Sequence, residues 1–164
     1  MTPANSEPTG SNWSEAAIDK WRTIEALDLT PVAQTLRAEF RQRQAKPALS
    51  GEELERQVAR LEHDYRQYLF LRWKYPSITL GPNFSIDAAW RAHIANTPIY
   101  REHSEKVFHQ YFDRRPEEDL SNISFAEYYY RANKLRNLSQ QEFRESLEER
   151  FPWMAADLKI AGNE

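Results

Sequence analysis

The sequence predicts an all-α fold: a single compact multi-helix domain over residues 13–158, with a polar, disordered leader (1–12) before it and a flexible tail (159–164) after it. Three observations predict it. Apolar residues recur every three or four positions over long stretches, the spacing of one helix face. Ser50, Ser124 and Ser139 each stand three residues before Glu, and Thr-Pro occurs at Thr30 and Thr97, all helix-start signals. Alternating Val and Ile over a strand length are nearly absent, and only four glycines occur.

Each element follows from its local text. Residues 1–12 are polar and rich in Pro, Ser and Thr, too poor in apolar surface to order themselves. From Ser14, the series Ile18, Trp21, Ile24, Leu27 gives a helix with one buried stripe. Thr30-Pro31 starts the next, with the Thr hydroxyl as cap, and it runs to about Gln44 with Val32, Leu36 and Phe40 inward and Arg37, Arg41 and Arg43 outward. Ser50 and Glu53 form a capping box that opens the longest helix. Its core face is Leu54, Val58, Leu61, Tyr65, Tyr68, Leu69 and Trp73, and Pro76 stops it. The following loop, SITLGPNFS, is apolar enough to pack on the core. Ser85 is the expected cap of a helix carrying Asp87, Trp90 and Ile94. Thr97-Pro98 starts another, with Val107, Tyr111 and Phe112 as its buried side. Ser124 with Glu127, and Ser139 with Glu142, are read as capping boxes of two last helices.

Composition excludes whole classes of function. The chain has no cysteine, so disulfides, thiolate metal sites and a cysteine nucleophile are out. No apolar run is long enough for a transmembrane helix, and the first residues lack the basic and apolar regions of a secretory signal, so a cytoplasmic location and no membrane partner are expected. The net charge of −3 gives no general attraction to nucleic acid. Residues 61–116 carry 8 basic and 6 acidic side chains, and residues 117–164 carry 6 and 10. Within the mildly basic middle, Arg91, Arg101, Arg114 and Arg115 can gather, which suits a carboxylate or phosphate.

The four histidines are His63, His93, His103 and His109. His103 and His109 are six apart and face different sides of a helix, whereas His93 meets His103 only if the corner at Thr97-Pro98 folds them together. A metal held by His93 and His103, completed by Asp87 or Asp113, is one alternative; surface or hydrogen-bonded histidines are the other. Asp87 lies near a helix start, where unpaired N–H groups favour a carboxylate. Tyr128, Tyr129 and Tyr130 are consecutive, so they point around a helix and cannot all be buried.

Residues 62–116 carry a recognisable order: Glu62, Tyr65, Tyr68-Leu69, Lys74-Tyr75-Pro76, Pro82, Ile86-Asp87, Trp90, His93-Ile94, Thr97, Tyr100, Phe108, Tyr111-Phe112 and Pro116. This text resembles the small bacterial relatives of the plant glycine-rich-domain proteins, and Leu27-Asp28-Leu29-Thr30-Pro31 resembles the usual beginning of that family. The family's Trp-His-x-His is here Trp90, Arg91, Ala92, His93. Its Asp-Cys is His103-Ser104, its His-His pair is Asp113-Arg114, and its glycine after Phe108 is His109. The resemblance therefore implies a kept helical scaffold with a lost or rebuilt His/Cys cluster.

From this reading, the first functional expectation is a non-catalytic accessory or binding protein for a protein or peptide partner, with neither metal nor cofactor. The alternative is a metal-independent enzyme acting on a small anionic substrate. In that case His93, Asp87 and Asp113 would be catalytic, and Arg91, Arg114, Trp90, Tyr100 and Ser104 would hold the substrate.

Overall fold

The computed structural model describes residues 13–43, 50–115, 118–144 and the backbone of 160–161. The expected leader and most of the expected tail lie outside the described residues. The order is α1 (Glu15–Glu25), α2 (Thr30–Arg43), α3 (Gly51–Lys74), α4 (Phe84–Ala95), α5 (Thr97–Phe108), β1 (Ile123–Ser124), α6 (Phe125–Phe143) and β2 (Ile160–Ala161). The fold is all-α apart from one short parallel pairing, Ile123 with Ile160 and Ser124 with Ala161.

Local chemistry starts three helices as their text suggests. The hydroxyls of Ser14, Ser50 and Ser124 accept from the amides of Ala17, Glu53 and Glu127 at 3.1–3.2 Å. Four details differ from the sequence reading. The cap of α4 is Asn83, whose Oδ1 accepts from Ile86 N at 2.8 Å, and Ser85 is already inside the helix and buried. At Thr30 the amide donates to Asp28 Oδ1, and the Thr97 hydroxyl donates back to Ile94 O, so neither threonine hydroxyl caps. Helix α5 ends at Phe108, with His109 left-handed at φ 57°, so Tyr111 and Phe112 lie beyond it and Tyr111 is exposed. Ser139 and Glu142 open no helix. They lie in the last turns of α6, both buried, because their side chains have partners on other elements.

The longest helix, α3, is the spine. Helices α1, α2, α4, α5 and α6 all pack on it, and α4 also contacts α2 and α5. Residues 80–90 are buried without a break, so the later part of the apolar loop and the first two turns of α4 lie in the core, whereas Ser77 and Thr79 are exposed. Trp13, Trp21, Phe70 and Phe143 pack together at one end, with Trp13 stacked on Phe70 at 4.5 Å between ring centres. There Glu142 receives Trp13 Nε1 at 2.8 Å and Lys74 Nζ at 2.7 Å, together with the Tyr75 hydroxyl, while Ser139 Oγ donates to Gln67 Oε1 at 2.8 Å. Burial pushes the Glu142 carboxyl up, and the hydrogen bonds from Lys74, Tyr75 and Trp13 outweigh it and hold it below the usual glutamate value. Cations close two helix ends in the same economical way. Arg66 donates to Ile24 O and Leu27 O at the end of α1, and Lys20 donates to Val107 O at the end of α5.

A second, smaller apolar cluster joins Phe84, Leu120, Ile123 and Tyr128, with Phe84 and Tyr128 stacked at 4.2 Å. Tyr128 is thus the buried member of the tyrosine run, and Tyr129 and Tyr130 are 59% and 63% exposed. Among the described residues, no helix is long and apolar enough to cross a membrane.

Candidate functional site

The candidate residues form two groups on opposite sides of one aromatic wall. The outer group grows from the start of α4. Asp87 sits in its first turn and is 2% exposed, so its carboxylate needs compensating charge. Two arginines supply it. Arg91, one turn on, places Nε 3.0 Å from Oδ2, and Arg114 donates Nη2 to Oδ1 from the segment after α5. Burial raises the Asp87 pKa above the ordinary aspartate value against the pull of Arg114 and Arg91. With a guanidinium on each oxygen, the group is a carboxylate at neutral pH.

Arg114 is fixed by more than this pair. Its guanidinium lies 4.7 Å from the Trp90 ring centre, and Trp90 stacks on Phe112 at 5.2 Å. Trp90 Nε1 donates to the Tyr100 hydroxyl at 2.9 Å, which in turn donates to Phe112 O. Burial pushes the Tyr100 phenol up to about 12, so it acts as a neutral donor. Residues 111–115 are thereby strapped across α4 and α5.

Behind them lies an ion pair that sequence reading missed. Arg72 of α3 meets Glu118, and the two residues are 4% and 0% exposed. Arg72 Nη1 also donates to the Tyr68 hydroxyl at 3.0 Å, which passes on to Leu80 O at 2.8 Å. Glu118 Oε2 accepts the Arg115 amide at 2.9 Å, and Arg115 Nη2 donates to Pro76 O at 3.0 Å. On the solvent side of these contacts, Asp87, Arg91, Arg114, Arg115, Asp119, Leu120 and Ser121 line a cleft of about 460 Å³.

The inner group is a hydrogen-bonded chain across three helices. The Tyr65 hydroxyl of α3 lies 2.8 Å from His93 Nδ1 of α4, and His93 Nε2 lies 2.9 Å from His103 Nδ1 of α5. The corner at Thr97-Pro98 does fold the two histidines together. Both ring nitrogens of His93 are occupied, and the residue is 1% exposed, edge-on to Tyr65 and Tyr100. Burial holds its pKa far down, at about 3, with the neighbouring His103 and Arg66 adding in the same direction. His103 is lowered too, again chiefly by burial.

The other sequence candidates are placed as follows. Ser104 is buried on α5, the helix that carries Tyr100. Asp113 is exposed, next to Arg114 on the segment after α5. Arg101 is exposed and lines no part of the cleft, whereas Arg115 does. Among the described residues, no group of three or more His, Asp or Glu side chains is placed to hold a metal, so His93 and His103 do not gain a third ligand from Asp87 or Asp113. Comparison with family models, with curated proteins and with solved structures gives no match for this chain.

Proposed function

We propose that this chain is a non-catalytic binding domain. One observation carries the reading: His93, the histidine that the sequence offers as acid or base, is buried with both ring nitrogens hydrogen-bonded to Tyr65 and His103, while the carboxylates of the solvent-facing cleft are engaged, Asp87 by Arg91 and Arg114 and Asp119 by the Ser121 amide. A general base must reach its substrate's proton within about one hydrogen bond. Asp87 is committed to Arg91 and Arg114, and its carboxylate orients them. Exposed Tyr129 and Tyr130 favour, as a second reading, a protein or peptide as the bound species. A cytoplasmic location and kinship with the glycine-rich-domain relatives belong to the same proposal. The positive φ of His109, at the place where that family has glycine, supports the kinship.

The test separates binding from turnover. Purified protein is screened by thermal shift against a panel of small metabolites. Each stabilising compound is then incubated for a day with a molar excess of protein and weighed by mass spectrometry. Recovery of every bound compound unchanged is the expected result. Conversion of any of them, lost in His93→Gln, overturns the reading in favour of an enzyme.

A further inference from the structure

The cleft has a sign. Arg91 and Arg114 share one carboxylate, Asp87, so their cluster carries one positive charge in excess. Arg115 adds a second, using its guanidinium only for Pro76 O among its hydrogen bonds. Asp119 on the rim, its Oδ1 accepting the Ser121 amide at 2.9 Å, takes one back, so three arginines against two carboxylates leave the described lining with one positive charge in excess. The Arg72–Glu118 pair beneath is balanced within itself. A hollow of about 480 Å³ adjoins the cleft and shares Asp119 and Ser121 with it, but there Arg131 is paired with Glu127 at 2.9 Å, so that side carries no surplus cation. The two compartments thus differ in charge, and only the one on α4 attracts an anion.

The geometry also favours recognition over mere attraction. Asp87 fixes Arg91 through Nε and Arg114 through Nη2, and the Trp90 ring backs the Arg114 guanidinium at 4.7 Å. These contacts pay most of the ordering cost before any ligand arrives, and they leave further N–H donors of two planar forks on the cleft wall. Arg91 is half exposed, so its outer edge is accessible. A volume of about 460 Å³ exceeds what a bare inorganic ion fills and lies within the range for small organic ligands. Leu120 borders the cleft but is buried with Phe84, Ile123 and Tyr128, so it adds little open surface.

We propose that the cleft formed by Arg91, Arg114, Arg115, Leu120 and Ser121 binds a small organic anion, a carboxylate or phosphate. This rests on the binding-domain reading and names its ligand class. The anionic head lies against the outer edges of Arg91 and Arg114, with Arg115 completing its neutralisation. Asp87 is a positioning residue that never touches the ligand.

Benzoate and phenyl phosphate, which share a body and differ in the head, are titrated into ¹⁵N-labelled protein, with benzyl alcohol as the uncharged control. The arginine Nε–H signals of Arg91 and Arg114 and the amides of Leu120 and Ser121 are followed. Saturable shifts at those positions with one or both anions, and not with benzyl alcohol, are expected; the stronger anion identifies the head. Arg91→Gln and, separately, Arg115→Gln each weaken binding about tenfold, while Glu127→Gln in the adjoining hollow leaves it unchanged. Both arginines are at the surface, and a wild-type-like amide spectrum checks that each variant is folded. Absence of saturation, equal shifts with benzyl alcohol, or undiminished binding in both arginine variants overturns the site. Any of these leaves the binding-domain reading standing, whereas chemical conversion of a bound probe would fall on that reading instead.

Discussion

Arg72→Met lowers the free energy of unfolding by about 3–5 kcal/mol, the usual cost of removing one partner of a fully buried ion pair. The size follows from what remains. Glu118 is 0% exposed, and Arg72→Met takes away the guanidinium that meets its carboxylate, leaving the Arg115 amide among its remaining partners. The guanidinium also lies 4.8 Å from the Phe112 ring centre and donates to Tyr68, so the strap over the cleft loosens with it. Urea unfolding followed by far-ultraviolet circular dichroism measures the change. The double variant Arg72→Met with Glu118→Leu recovers most of the loss, because replacing both charges by apolar groups removes the uncompensated one. A loss for Arg72→Met below about 1 kcal/mol, the level of a surface pair, would show that water reaches Glu118.

Acid is the second large effect. The His93 pKa is held at about 3 against an ordinary 6.5, so the unfolded chain takes up a proton as pH falls through 6.5 and the folded chain does not. Stability is therefore full above pH 6.5 and is lost as pH falls toward the folded value. By linkage the loss reaches about 2 kcal/mol by roughly pH 5, and about 4–5 kcal/mol near the lower end. His103 is lowered in the same direction and adds to it. The raised carboxyls Asp87 and Glu62 work with the opposite sign, so the histidine contribution is read from the difference between the wild type and His93→Gln. The geometry gives the same answer. His93 Nε2 and His103 Nδ1 face each other at 2.9 Å, and two protonated rings would set N–H against N–H. Urea midpoints between pH 7 and 5 are expected to fall steeply in the wild type. In His93→Gln the slope corresponds to about one proton fewer; an unchanged slope would falsify the assignment.

What was legible in the sequence was local. Ser14, Ser50 and Ser124 announce their helices because a cap is settled within four residues. The same signature misleads at Ser139 and Glu142, since Ser-x-x-Glu also occurs inside a helix. Only the partners Gln67, Trp13, Lys74 and Tyr75, which are about 70 to 130 positions away, reveal that it does so here. Asn83 and Ser85 are both good caps by residue type, and only the fold shows that Asn83 Oδ1 takes the Ile86 amide. At the site, Asp87 and Arg91 are one helical turn apart and could be paired from spacing. Arg114 joins them from 27 residues on, and Glu118 reaches Arg72 from 46 positions away, distances at which no periodicity speaks. The meeting of His93 and His103 hung on one corner at Thr97-Pro98, legible as a condition and decided by the fold.

The most direct measurement on the binding-domain reading is the protonation of His93 itself, from the ¹⁵N shifts of its imidazole nitrogens in labelled protein between roughly pH 8 and pH 5. A neutral ring throughout the range, with both nitrogens shielded from exchange by Tyr65 and His103, is the expected result. A ring that titrates near its ordinary 6.5 would contradict it, since such a histidine would be in contact with solvent and available for proton transfer.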